Sequence, residues 1–217
     1  QPAPMAALLG PPDPTHSVAA ERLLPDARAA AAAGVTRLAE VTRLDRFGLP
    51  VWQAIRPMSL ALSVHQGKGA TDADARLGAL LEAVESDAAE RFDGDGPTCR
   101  FDALPRRERA ACLSDFARFR EHSPPEGQPC RWAEAKHPLT GERLWLPFDL
   151  VSLDLTSGLP SPFERSSNGV ATGACRDEAV MAALHEFIER DAVAHWQETP
   201  LPARMGCALD PDTVPFD

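Results

Sequence analysis

The sequence predicts an α+β domain, with long helices set against mixed or antiparallel sheets. Three observations carry that prediction. Leu77, Leu80, Leu81, Val84 and Ala88 recur at the helical period. Val51-Trp52-Gln53-Ala54-Ile55-Arg56 alternates as a half-buried strand does. Between Trp132 and Leu155, short extended segments flank the turn Thr140-Gly141-Glu142, which reads as a hairpin.

Taken in order, residues 1–15 are rich in proline and alanine and are expected to be loosely ordered, leaving 16–217 as the folded part. Ala19 to Ala33 is strongly helix-forming, and Gly34 is its C-cap. Val35 to Val41 is extended, Gly48-Leu49-Pro50 is a turn, and the 51–56 strand follows. A second apolar run, Ser59 to Val64, leads into Gln66-Gly67-Lys68-Gly69, which reads as a turn. The first long helix starts near Thr71 or Asp72, both good caps, and runs to about Arg91. Beside its apolar stripe, Gly78, Glu82 and Glu85 form a neighbouring face.

Residues 93–98 are a Gly/Asp/Pro loop, Leu104 to Glu121 has helical composition, and His122 to Pro129 is a flexible connection. The second long helix runs from Asp177 to Trp196, capped by Asp177, with Val180, Met181, Leu184, Phe187 and Ile188 as its buried stripe. At about 100° per residue, Glu178, Glu186 and Glu189 fall within roughly a quarter-turn arc, and Arg190 lies one turn beyond Glu186.

Charge and composition exclude several classes. A formal net charge of -10 argues against a nucleic-acid surface, which needs a basic stripe. No run of about 18 apolar residues exists to span a bilayer, and no secretion signal is recognisable at the N-terminus. Cys99, Cys112, Cys130, Cys175 and Cys207 form no CxxC pair, so they read as free thiols in a reducing, cytoplasmic compartment. The chain begins without methionine and closes on what reads as mid-domain sequence, the expectation being a partial chain.

The chemistry is concentrated in two places. Glu82 with Glu85, and Glu186 with Glu189, are carboxylates three apart on one helix face, and two such helices facing each other can hold a hard divalent cation. Like charges so close repel unless a cation or proton intervenes. Each pair follows a glycine-containing segment, 66–69 and 167–173, able to offer backbone amides and Lys68 to phosphate oxygens. Gly67-Lys68-Gly69 is no P-loop, because Leu62 stands where the first glycine belongs and Gly69 where serine or threonine belongs.

Three segments resemble the YcaO family. They are Gly48-Leu49-Pro50-Val51 with Arg56-Pro57, then Gln66-Gly67-Lys68-Gly69 through Glu82-Ala83-Val84-Glu85, and then Ser167-Asn168-Gly169-Val170-Ala171-Thr172-Gly173 through His185-Glu186-Phe187-Ile188-Glu189-Arg190-Asp191. The opening portion is most similar to the subgroup associated with TfuA partner proteins. The resemblance implies a domain whose sheets and helices enclose an ATP cleft built without a P-loop, of which residues 16–217 supply the N-terminal and central part. It implies ATP and Mg2+ as cofactors and O-phosphorylation of a peptide backbone amide as the reaction. A side-chain nucleophile then yields an azoline, and a sulfide donor yields a thioamide.

By the same resemblance Glu82, Glu85, Glu186 and Glu189 bind magnesium or order its waters. Lys68 and Arg190 meet phosphate oxygens, Asn168 shapes the nucleotide turn, and Glu178 joins the nucleotide site. No side chain need act as a covalent catalytic nucleophile. The partners implied are a precursor peptide and a TfuA-like protein, and a homodimer is compatible with them. Two other readings stand beside this one: a degenerate member that only holds a peptide, and an accessory factor in ribosomal-protein methylthiolation. The family commonly has serine where Gly78 stands and a polar residue where Ala174 stands. The chain stops before a third family motif.

Overall fold

The computed structural model describes residues 27–110, 112, 113, 116, 127–157, 161–173 and 175–205. The 1–15 segment, the start of the first expected helix and most of the 104–129 stretch therefore lie outside the described residues. Helix α1 (Ala27–Ala32) ends at Gly34, whose φ of 77° lets Val35 N–H turn back to the Ala30 carbonyl at 3.0 Å. Strands β1 (Arg37–Glu40), β2 (Val51–Ile55) and β3 (Val64–Lys68) then form an antiparallel sheet in chain order. Leu38, Ala54 and His65 stand in one row across it.

Helix α2 (Asp72–Glu90) covers the buried face of this sheet, starting in a complete capping box between Thr71 and Asp74. The core between them is small-residue packing: Ala30, Val35, Ala54, Ala79, Leu80 and Ala83, flanked by Leu38 and Trp52. Such residues let helix and strand backbones come close, and Gly67 is where they come closest. A Cβ there would lie 2.0 Å from the Ala75 carbonyl oxygen and 2.1 Å from Ala79 N. This corrects the expectation of a turn at Gln66-Gly67-Lys68. Those residues are strand, and the glycine serves helix contact rather than chain reversal. The Ser59 to Val64 run is mainly loop, with only Val64 in β3.

The far end of α2 is fastened by a buried ion-pair cluster. Arg56, after β2, places Nη1 3.0 Å from Glu90 Oε1 and Nη2 3.0 Å from Oε2, while Nη2 also meets Asp87 Oδ1 at 2.7 Å. Ser59 and Ser86 hydroxyls and the Leu60 amide complete five donors on the Glu90 carboxylate. Those donors, led by Arg56, hold Glu90 down to about 2 even though burial pushes the other way.

A second antiparallel sheet contains β4 (Thr98–Cys99), β5 (Cys130–Lys136) and β6 (Arg143–Pro147). The β5–β6 hairpin turns at Gly141, φ 73°, as expected from sequence. Its core gathers Leu104, Leu113, Trp132 and Phe163. The described part of 104–121 is not α-helical, and a short 3-10 turn at Arg106–Glu108 takes its place. Pro105 interrupts the helical pattern at its start, and Arg109 is drawn back to the Phe101 carbonyl at 2.7 Å and over its ring.

Helix α3 (Arg176–Glu198) confirms the second long helix, followed by the short α4 (Leu201–Met205). Two expectations about α3 are corrected. Its N-cap is Cys175, with Asp177 in the first turn. Its apolar stripe is not buried: Met181, Leu184, Phe187 and Ile188 are 41–67% exposed. Periodicity marks which face of a helix is apolar; it does not say that a partner covers it. Among the described residues no element does.

Candidate functional site

A cleft of about 550 Å³ opens between α2, α3 and the segments leading to them, within the usual range for small-molecule sites. Its apolar wall comes from Ala61, Leu62, Leu153 and Leu155. The backbone pins that wall: Leu153 N–H donates to the Ala89 carbonyl and Leu155 N–H to the Leu60 carbonyl, both at 3.1 Å. Arg165 braces the rim, with Nη2 2.7 Å from Asp149 Oδ1 and Nη1 2.8 Å from Ser157 Oγ.

The other wall is acidic, with Glu82 and Glu85 from α2 and Glu186 from α3, joined by Arg190. Each carboxylate takes a backbone amide from a glycine-containing segment. Glu82 accepts from Gln66 N at 2.7 Å. Glu85 accepts from both the amide and the hydroxyl of Thr172 at 2.8 Å, across 87 residues of sequence. Glu186 accepts from Gly169 N at 3.1 Å and pairs with Arg190 at 3.2 Å.

Gly169 is required on two counts. Its φ is 79°, and a Cβ would fall 2.3 Å from the Phe187 ring. Gly173 permits equally close approach to the first turn of α3, where a Cβ would lie 2.4 Å from Ala179 N. The 167–173 segment is therefore a backbone cradle that carries the α2 and α3 carboxylates to one cleft. Burial pushes the Glu85 carboxyl above its usual range against the Thr172 hydrogen bonds, and the charges of Glu82 and Glu186 add to the rise. Crowded carboxylates of this kind favour a bound cation.

Of the expected site residues, the structure brings Glu82, Glu85, Glu186 and Arg190 together. Lys68, Asn168, Glu178 and Glu189 are exposed and stand outside the cleft lining. Lys68 lies on the face of β3 opposite His65 and Gly67, because side chains alternate along the strand. Among the described residues no group of three or more His, Cys, Asp or Glu is placed to hold a metal ion. The carboxylates are turned to backbone amides instead. They suit magnesium nonetheless as hard oxygen donors, since that ion keeps several waters and needs only one or two carboxylates beside phosphate oxygens.

Sequence reasoning missed His65, Arg165 and Thr172. Reading 64–68 as a strand would have placed His65 on the same face as Gly67. No local pattern marks Arg165. Thr172 was visible only as part of the glycine-containing stretch.

The family model described as YcaO cyclodehydratase, ATP- and Mg2+-binding, matches residues 66–215. An uncharacterized protein of Mycobacterium tuberculosis is 39% identical over 171 residues, covering 76% of this chain and 38% of its own length. A protein of Rhizobium leguminosarum bv. trifolii, described as lying in a tfuA 3′ region, is 39% identical over 163 residues, with 74% and 38% covered. Among solved structures, YcaO from Methanopyrus kandleri bound with AMPPCP and Mg2+ matches with a TM-score of 0.56 and 27% identity, covering 76% of this chain and 40% of that one. A heterocyclase in complex with substrate and cofactor shares the fold, with a TM-score of 0.57 at 23% identity. The chain spans 38% of the length of each of these two curated relatives. It belongs to the YcaO family, whose cofactors are ATP and Mg2+.

Proposed function

We propose that this chain contributes the ATP and magnesium site of an enzyme that activates peptide backbone amides by O-phosphorylation. The observation that carries the reading is the convergence of Glu82, Glu85, Glu186 and Arg190 on one cleft beside a glycine cradle, within the span matched by the YcaO model. When bound, magnesium neutralises phosphate charge and ATP makes the amide oxygen a good leaving group. The chain's own residues would hold and orient: Glu82, Glu85 and Glu186 would hold the metal, and Arg190, paired with Glu186 at 3.2 Å, would meet a phosphate oxygen. Lys68, Asn168, Glu178 and Glu189 are assigned here to the nucleotide and its metal by family resemblance alone.

The substrate in this reading is a precursor peptide. The product is a thioamide made with a TfuA-like partner, or an azoline. The Rhizobium relative's position in a tfuA 3′ region supports the thioamide branch. A peptide-holding scaffold without turnover is the second reading. It is favoured by Gly78, whose Cα packs so near Gly67 that a Cβ would sit 3.3 Å from the Gly67 Cα, where the family commonly has serine.

Calorimetric titration of ATP with and without magnesium tests the site. The expected result is magnesium-dependent binding to the chain that is lost in the Glu186→Ala, Glu189→Ala variant. Equal binding by both proteins overturns the assignment.

A further inference from the structure

Strands β4 and β5 set two thiols opposite each other, away from the residues that line the acidic cleft. Cys99 and Cys130 are register partners in the antiparallel ladder, next to the Thr98 and Arg131 pair. Directly opposed residues point to the same face of a sheet, with Cα atoms about 4.5–5.5 Å apart. The packing agrees, because both cysteines lie against the core of Leu104, Leu113, Trp132 and Phe163. Both are free thiols, and both are only partly buried. A disulfide joins cysteines whose Cα atoms are about 4.4–6.8 Å apart, so this pair can close with a small approach of the two side chains. Cysteines packed only as small hydrophobes need no such register.

Cys130 is the thiol that a reagent meets, since it lines a cleft of about 790 Å³ with Arg131 and Phe148. Burial, then the charges of Asp149 and Cys99, push the Cys130 thiol up. Its thiolate is therefore scarce near neutrality, and its reaction speeds up as pH rises. A zinc site takes four ligands, and among the described residues no third His, Cys, Asp or Glu joins these two. Strand β4 contributes only two residues to the ladder, so a covalent bond here would fasten a short and weakly held strand.

We propose that Cys99 and Cys130 are a redox-responsive pair that closes to a disulfide on meeting a low-molecular-weight disulfide such as oxidised glutathione. The Cys130 thiolate attacks one sulfur of the reagent, forming a mixed disulfide and releasing one glutathione thiolate. The Cys99 thiolate then attacks Cys130 Sγ, forming the protein disulfide and releasing the second glutathione thiolate. Two protein thiols are oxidised, the reagent is reduced to two thiols, and the protons lost by the protein are those the released thiolates take up.

The test incubates the chain, Cys99→Ser and Cys130→Ser with oxidised glutathione at about pH 7 and about pH 8.5, followed by non-reducing peptide mapping and thermal melting. The unaltered chain should give a linked 99–130 peptide, formed faster at the higher pH and lost on adding dithiothreitol. Its oxidised form should melt higher than its reduced form by roughly 4 °C or more. Cys99→Ser should stop at the mixed disulfide, with glutathione held on Cys130, and Cys130→Ser should give no internal link to Cys99. Absence of the 99–130 peptide from the unaltered chain overturns the proposal and requires no variant to fold. A predominant link to Cys112, Cys175 or Cys207 overturns it equally, as does lower melting of the oxidised form.

Discussion

Replacing Glu90 with glutamine should cost the fold about 3 kcal/mol. Five donors converge on this carboxylate, whose side chain is 2% exposed. Its drop from 4.5 to about 2 corresponds to roughly 3 kcal/mol at about 1.4 kcal/mol per pKa unit. Breaking a buried pair by removing one partner costs about 3–5 kcal/mol. The low end applies because Arg56 keeps Asp87 at 2.7 Å. Because the folded pKa lies below the unfolded one, this stability is fully present above 4.5 and is lost as pH falls towards about 2. Urea denaturation of both proteins at pH 7 and along a series down to pH 2.5 measures it. The gap should be wide at pH 7 and narrow below pH 4.5. A gap under about 1 kcal/mol at pH 7, or one that does not change with pH, would refute the reasoning.

Gly67→Ala should destabilise the fold by about 1–3 kcal/mol or more, because the new methyl group meets the Ala75 carbonyl, which belongs to helix backbone and cannot rotate away; thermal melting reads this directly. Glu85→Gln keeps an acceptor for Thr172 and removes a crowded charge. Since the folded pKa of Glu85 is raised, the unaltered chain loses stability as pH rises past the ordinary 4.5, so the variant should melt higher at pH 7 and equally at pH 4. The same variant should bind ATP more weakly in magnesium, which a parallel titration shows.

Much of the fold was legible because its signals are local. Thr71 begins α2, Gly34 ends the turn after α1, and the 140–142 turn sets the β5–β6 hairpin. Residues 66–68 misled because glycine marks close approach as well as reversal, and only the helix lying across β3 distinguishes the two. The Arg56-Pro57 dipeptide gave no hint that Arg56 would reach Glu90, 34 residues away. The acidic faces of α2 and α3 were readable from three-residue spacing, which correctly grouped Glu82 with Glu85. Spacing along a helix cannot show which neighbouring residues another element will meet. Glu186 therefore reached the cleft while Glu189, on the same arc, stayed exposed.

The central claim is that the cleft between α2 and α3 receives the nucleotide. Photolabelling the chain with 8-azido-ATP in magnesium, followed by peptide mapping, tests it most directly. The account predicts label on the segments that line that cleft, 61–65, 153–155 or 165–171, competed away by ATP. Label concentrated instead around Phe92, Arg131 and Phe148, which line a second cleft of about 790 Å³, would contradict it.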